Sequence, residues 1–104
     1  MNAATLLQEL IRIPSDSGQE SAVCDRVERV FKDLGWAPVR SGRNVYAFLG
    51  QGSPLLLLNS HTDTVPVGEG WTHPPLGAEI VGGKIYGRGS NDAKGCLTAM
   101  ILGA

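Results

Sequence analysis

Residues 55–66 have the sequence Leu-Leu-Leu-Leu-Asn-Ser-His-Thr-Asp-Thr-Val-Pro, an apolar run followed by a histidine and an aspartate two positions apart. The four consecutive leucines predict a strand over residues 55–59 that is buried on both faces in the middle of a sheet. His61 and Asp63 lie just beyond its carboxyl end, where open α/β sheets place their binding sites. The stretch therefore predicts an α/β fold with a polar site at the end of its central strand.

Two helices are expected before the first strand. Apolar residues at helical spacing predict a helix over residues 3–13. Ser17 and Glu20 match the S-x-x-E capping box, which predicts the start of a second helix that Gly35 ends. Both helices carry one apolar face, so each is expected to cover the sheet.

Short strands and a third helix account for the rest of the chain. The pair Gly82-Gly83 predicts a tight hairpin, and a glycine-rich loop leads into an apolar helix near residue 104. This order predicts an α/β fold of three layers, with a mixed sheet flanked by helices. The expected strands are residues 36–40, 44–49, 55–59, 78–81 and 84–86.

Composition narrows the classes of partner and location. The chain has 104 residues, 42% of them hydrophobic, and a formal charge of -1. This balance favours neither nucleic acid nor an anionic membrane as a partner. Cys24 and Cys96 are expected to be reduced, buried thiols. No signal peptide is recognisable, because Glu9 and Arg12 interrupt the only early apolar run, so a cytoplasmic location is expected.

The last residues suggest that residues 1–104 are the N-terminal portion of a larger domain. Residues 96–104 form an apolar helix without polar closure. A domain rarely ends on an unprotected apolar segment. We therefore expect a fragment that lacks later parts of its domain and has poor solubility.

His61 and Asp63 are the first candidate site residues. In an extended chain, residues two apart point to the same side, so Asp63 can hold one ring nitrogen of His61 while the other faces a metal ion. A carboxylate behind a ligating histidine fixes its tautomer and raises its basicity. A hydrogen-bonded pair without a metal is the alternative interpretation.

Asp92 is the second candidate, in the loop that contains Gly87, Gly89 and Gly95. Glycines allow this loop to fold tightly, and a carboxylate held there can bridge two cations. A plain helix cap is the alternative. No Gly-Lys-Ser/Thr follows, which excludes a phosphate-binding loop. His73 is expected to be structural, and Arg88 and Lys94 are expected to be salt-bridged or solvated.

Several spaced motifs resemble the di-zinc family of aminoacylases, acetylornithine deacetylases and glutamate carboxypeptidases. The resemblance covers nearly the whole chain, including the first helix and Ser17-Gly18-Gln19-Glu20. The central motifs are residues 61–66, 70–71, 74–76, 83–90 and 92–95.

The resemblance implies roles for three residues. His61 becomes a ligand of one zinc ion, Asp92 the ligand that bridges two, and Asp63 the catalytic-site carboxylate that orients His61. The cofactor would be two Zn²⁺, with Co²⁺ as a substitute, and the peptide bond between Asp92 and Ala93 would be cis. The implied reaction is metal-assisted amide hydrolysis. Its glutamate base, its remaining ligands and the inserted domain that makes a homodimer would follow residue 104.

Residues 59–66 and 89–95 look most like acetylornithine deacetylases. The favoured substrate is therefore a small N-acyl amino acid, N-acetylornithine in arginine biosynthesis. Succinyl-diaminopimelate desuccinylase and dipeptidase or carboxypeptidase reactions remain open. The non-enzymatic alternative is a truncated remnant or a binding module. The 104-residue chain itself is expected to be inactive and to bind zinc weakly, because a catalytic zinc needs about three protein ligands.

Overall fold

The computed structural model describes residues 1–104 and contains three helices and two small sheets. Both sheets are two-stranded and antiparallel. The protein is thus a small α/β unit, while the expected continuous mixed sheet between layers of helices is not formed. The elements are α1 (Ala3–Arg12), α2 (Ser21–Asp33), β1 (Val39–Ser41), β2 (Asn44–Tyr46), β3 (Glu79–Val81), β4 (Lys84–Tyr86) and α3 (Lys94–Gly103).

Helix α1 follows the sequence expectation closely. Its N-cap is Asn2, whose side chain accepts a hydrogen bond from the amide of Thr5, satisfying one of the free N–H groups of the first turn. The helix ends at Arg12 with Ile13 as its C-cap. It ends there because Pro14 disfavours helical geometry at the residue before it.

Helix α2 has the expected apolar stripe but not the expected cap. It begins at Ser21, its N-cap is Glu20, and no side chain caps it. The Glu20 carboxylate instead accepts hydrogen bonds from the amide of Gly18 and from Arg43. The predicted capping box of Ser17 and Glu20 is therefore wrong, because both side chains are engaged by other partners.

The core lies where α1, α2 and α3 meet. Helices α1 and α3 are in direct contact, and the buried apolar side chains of all three form one cluster. Burial of such side chains supplies the main stabilising free energy of a small domain. The cluster comprises Leu6, Leu10, Val23, Cys24, Val27, Val30, Phe31, Leu97 and Ile101.

The two hairpins lie near the predicted positions. Strand β4 has the predicted bounds and β2 and β3 are shorter than predicted, whereas β1 starts three residues later and includes Ser41, which was expected in the turn. Strands β1 and β2 pair Arg40 with Val45, and β3 and β4 pair Ile80 with Ile85. The turn between β3 and β4 is Gly82-Gly83, both with positive φ, as a tight hairpin requires.

The leucine segment is the main difference from the sequence expectation. Residues 55–59 form no strand, and the four leucine residues are 49–82% exposed. Residues 48–61 lie outside all helices and strands and contribute none of the main-chain hydrogen bonds of turns and loops. The prediction of a buried central strand is wrong for this structure, because no other strand lies alongside the segment.

Two further expectations concern cysteines and membranes. Both cysteines are free, but only Cys24 is buried, whereas Cys96 is exposed. The prediction of two buried thiols is therefore wrong for Cys96, which lies on the outer face of α3. None of the three helices has the length and apolar character that a bilayer span requires.

Candidate metal centre

The imidazole of His61 lies between two carboxylates. Its Nδ1 atom is 3.0 Å from Oδ1 of Asp63 and 3.1 Å from the carbonyl oxygen of Asp63. Its Nε2 atom is 3.0 Å from Oδ1 of Asp92. The structure thus brings together the three residues that the sequence singled out, with Asp63 and Asp92 on opposite ring nitrogens.

Asp92 does not act as a helix cap. Helix α3 has Ala93 as its N-cap, and no side chain makes a capping hydrogen bond there. The Asp92 side chain is 84% exposed and contacts His61. The peptide bond between Asp92 and Ala93 is cis, as the resemblance implies. The Asp92 side chain thus contacts His61 and makes no capping hydrogen bond.

Gly89 allows the loop that carries Asp92 to lie against the segment that carries His61. Its φ is +87°, and an added Cβ would lie 3.0 Å from Cγ2 of Thr64 and 3.1 Å from Cδ of Lys94. A side chain at this position would be strained and crowded. The expectation that glycines let this loop fold tightly holds at Gly89, where the loop lies against Thr64 and Lys94.

Lys94 is buried rather than solvated or salt-bridged. Only 1% of the residue is exposed, and its ammonium group donates a hydrogen bond of 2.9 Å to the carbonyl oxygen of Ile13. Burial lowers the pKa of Lys94 to about 8, because desolvation disfavours the charged form. Lys94 therefore connects the start of α3 to the end of α1.

The loop after α1 also holds the segment that carries His61. The Ser15 hydroxyl donates a hydrogen bond of 2.8 Å to the carbonyl oxygen of Thr62. The Thr64 amide donates to the Ser15 carbonyl oxygen, and the Ser17 amide donates to the Thr64 carbonyl oxygen. The Ser17 hydroxyl donates to Oδ2 of Asp63 at 2.5 Å.

Sequence reasoning missed both serines as site residues. Ser17 and Asp63 are 46 positions apart, and no local pattern in a single sequence indicates a contact over that distance. The only signal at Ser17 was its match to a capping box, which the structure does not contain.

The charges of the centre shift two pKa values in opposite directions. Desolvation is the largest single influence on His61 and lowers its pKa, but the contacts with Asp63 and Asp92 together outweigh it and raise the pKa above 6.5. The hydrogen bond from Ser17 is the largest influence on Asp63 and, together with His61, holds the pKa of Asp63 below 3.8. Both shifts follow from hydrogen bonds and opposite charges that favour the ionised forms.

His73 and Arg88 take part in a separate cluster. His73 contacts Glu79 at 2.8 Å and stacks on Tyr86 with ring centroids 3.9 Å apart. Arg88 donates a hydrogen bond to the carbonyl oxygen of Val67 and lies over the ring of Trp71. The contacts of His73 hold the loop before β3 against β3 and β4. They favour the structural interpretation of His73.

The donor set fits part of a zinc site. Imidazole nitrogen and carboxylate oxygen are both ordinary zinc ligands, and a separation of 3.0 Å between Nε2 of His61 and Oδ1 of Asp92 allows both atoms to bind one ion. No group of three or more histidine, cysteine, aspartate or glutamate side chains is placed to hold a metal ion. The chain thus supplies two donors, fewer than a catalytic zinc needs.

The second part of the chain is similar to a known protein family. Residues 57–104 match the model of peptidase family M20/M25/M40. The matched region contains His61, Asp63 and Asp92 and covers somewhat less than half of the chain. The match supports the M20 metallohydrolase family, whose members are hydrolases that generally bind metal ions such as zinc. It does not distinguish acetylornithine deacetylases from other M20 members.

Proposed function

We propose that this chain supplies the first metal ligands of a zinc-dependent hydrolase that cleaves the amide bond of N-acyl amino acids. The observation that carries this proposal is the separation of 3.0 Å between Nε2 of His61 and Oδ1 of Asp92. Both residues lie in the region that matches the M20 family.

Each of the three residues has a defined task in this proposal. His61 and Asp92 would hold zinc, which supplies Lewis acidity and an activated water when bound. Asp63 accepts a hydrogen bond from Nδ1–H of His61, which leaves the lone pair of Nε2 free for the zinc ion on the side of Asp92. The carboxylate of Asp92 has two oxygens, of which only Oδ1 contacts His61, so Oδ2 is available to a second cation.

The remaining ligands and the general base are proposed to come from polypeptide that continues beyond these 104 residues. Two protein donors shared between two ions fall short of the three that one catalytic zinc needs. The 104-residue chain is therefore expected to bind zinc weakly and to be inactive. In the complete protein, we propose a cytoplasmic homodimer that acts on small-molecule substrates.

N-Acetylornithine is the proposed substrate, and the reaction is release of its acetyl group in arginine biosynthesis. The support is the similarity of residues 59–66 and 89–95 to deacetylases of this type. Succinyl-diaminopimelate and dipeptides are the competing substrates, because the family resemblance leaves these reactions open.

The test is to read the gene beyond the codon for Ala104 and to assay the longest product. N-acetylornithine, succinyl-diaminopimelate and a dipeptide are supplied separately, with zinc and with a chelator. Hydrolysis of N-acetylornithine that needs zinc and is lost in Asp92→Ala supports the proposal. Asp33→Ala is the matched control, because Asp33 lies at the end of α2 and pairs only with Arg29.

Two results would contradict the proposal. Normal hydrolysis by Asp92→Ala would show that Asp92 is no ligand. A stop codon directly after Ala104 would leave two donors and favour the non-catalytic alternative, a remnant or a binding module.

A further inference from the structure

We propose that Ser17 is a positioning residue of the metal centre, whose hydroxyl fixes the Asp63 carboxylate so that Asp63 in turn orients His61. This inference rests on the proposed function, because it gives Ser17 a role toward the zinc ion that His61 would bind. Ser17 itself lies on the far side of Asp63 from that ion, so its effect passes through two side chains.

The Asp63 carboxylate is held at both oxygens. Oδ2 accepts the hydrogen bond from the Ser17 hydroxyl at 2.5 Å, and Oδ1 lies 3.0 Å from Nδ1 of His61. A carboxylate with one partner on each oxygen cannot rotate without losing a hydrogen bond. Ser17 therefore fixes the plane of the Asp63 carboxylate. The position of Oδ1 relative to the His61 ring is fixed with it.

Ser17 can do this because its own main chain is fixed. Its amide donates a hydrogen bond of 3.2 Å to the Thr64 carbonyl oxygen, and the Thr64 amide donates one of 2.9 Å to the Ser15 carbonyl oxygen. Asp16 and Thr64 thereby form a parallel bridge. Ser15 and Thr64 are both buried, so this bridge is anchored in the folded structure.

No other task explains the Ser17 side chain. Helix α2 starts at Ser21, and the Ser17 side chain does not cap it. The only side-chain hydrogen bond of Ser17 is the one to Asp63. A serine hydroxyl can donate one proton, and an ionised carboxylate can only accept, so the direction of this hydrogen bond is defined.

The chemical consequence concerns the ring of His61. A carboxylate that accepts a hydrogen bond from Nδ1–H keeps the Nε2 lone pair available and sets the orientation of the ring. When Ser17 is removed, the Asp63 carboxylate can rotate, and His61 samples orientations in which Nε2 no longer faces Asp92. Loss of such outer partners typically weakens metal binding by roughly 10- to 100-fold.

The test compares the 104-residue chain with Ser17→Ala, Ser17→Thr and Ser21→Ala. Ser17→Thr keeps a hydroxyl at the position. Ser21→Ala is the matched control, because Ser21 is exposed and its hydroxyl makes no hydrogen bond in the structure. Two readouts are measured by NMR: solvent exchange of the His61 Nδ1 proton without metal, and the shift of His61 on titration with zinc chloride alone. The amide spectrum of each variant verifies folding.

The expected result is specific to Ser17→Ala. Its His61 Nδ1 proton exchanges faster than in the wild-type chain, and its zinc dissociation constant rises about tenfold. Ser17→Thr and Ser21→Ala match the wild-type chain in both readouts. Zinc shifts and proton exchange in Ser17→Ala that equal those of the wild-type chain would overturn the inference.

Failure of the proposed function gives a different pattern. In that case zinc does not shift His61 even in the wild-type chain, while Ser17→Ala still accelerates exchange of the Nδ1 proton. That pattern would show that the chain binds no zinc, so that Ser17 has no role toward the metal ion. It would also show that the contact between Ser17 and Asp63 still orients His61.

Discussion

Nε2 of His61 lies 3.0 Å from Oδ1 of Asp92, although the two residues are 31 positions apart in the chain. Their segments share one support, the loop of residues 13–17 after α1. Ser15 and Ser17 hold the segment that contains His61, and the Ile13 carbonyl oxygen accepts a hydrogen bond from Lys94, two residues after Asp92. The geometry of the metal centre therefore depends on the end of a helix that contributes no ligand.

Asp92→Asn is expected to reduce the weak zinc affinity of the chain by about tenfold or more, because it removes the charge of one of only two donors. The measurement is a zinc titration that follows the side-chain signals of His61. Asp33→Asn removes an exposed carboxylate elsewhere and should keep the wild-type affinity. Equal affinities for Asp92→Asn and the wild-type chain would exclude Asp92 as a ligand.

Gly95→Ala is expected to destabilise the fold by roughly 1–3 kcal/mol. An added Cβ would overlap the carbonyl oxygen of Ser90, and a main-chain atom cannot move without displacing the loop that carries Asp92. Gly103→Ala, near the end of the same helix α3, meets no atom within 4 Å and should be neutral or stabilising by up to about 1 kcal/mol. Urea unfolding of the two variants compares them directly. Similar stabilities would show that the loop can yield.

Glu20 makes stability depend on acid pH. The hydrogen bond from the Gly18 amide is the largest cause that holds the pKa of Glu20 below 4.5, and Arg43 adds to it. A carboxyl group with a lowered folded-state pKa stabilises the fold fully above the unfolded value and loses this stabilisation as the pH falls through the folded value. The wild-type chain should therefore lose thermal stability as the pH falls below about 4.5.

Glu20→Gln should be less stable than the wild-type chain at neutral pH and should flatten this acid-side decline, as followed by circular dichroism melts at several pH values. Glu69→Gln replaces an exposed glutamate and should keep the wild-type profile. If thermal stability declines with acid pH in Glu20→Gln as it does in the wild-type chain, other carboxylates cause the decline.

The exposed leucines predict self-association. Leu55, Leu56 and Leu57 are each more than three-quarters exposed, and their segment offers unpaired main-chain groups, which is typical of aggregation-prone edges. Leu56→Lys is expected to shift the chain toward monomer in sedimentation velocity experiments. Val81→Lys adds the same charge at an exposed apolar residue of β3 and should change association little. A wild-type chain that stays monomeric at high concentration would contradict the prediction.

The local parts of the fold could be predicted from the sequence. The apolar spacing around Leu10 and Val27 locates α1 and α2 within a few residues, and Gly82-Gly83 locates the second hairpin. The four leucines were misjudged for a physical reason. Their pattern reports the environment that the segment suits, burial on both faces, but a sheet also needs neighbouring strands, which no local pattern supplies.

In the candidate site, too, the local contact could be predicted from the sequence and the long-range contacts could not. The spacing of His61 and Asp63 sufficed to predict their contact, because residues two apart in extended chain share a side. The closeness of Asp92 followed from the family resemblance rather than from spacing. Ser17 and the buried Lys94 were missed, since their partners Asp63 and Ile13 are 46 and 81 positions away.

The unpaired segment before His61 has a consequence for how tightly the protein can bind a metal ion. Because residues 48–61 make no main-chain hydrogen bonds, their amide protons should exchange with solvent at rates near those of a free peptide, whereas those of Thr64 and Ser17 should be slowed. His61 thus lies between the unpaired residues 48–60 and the hydrogen-bonded Thr64. A metal ion that binds the His61 ring must also order residues 48–61. The conformational entropy lost in this ordering lowers the affinity for the metal ion, unless other parts of the protein already hold the segment.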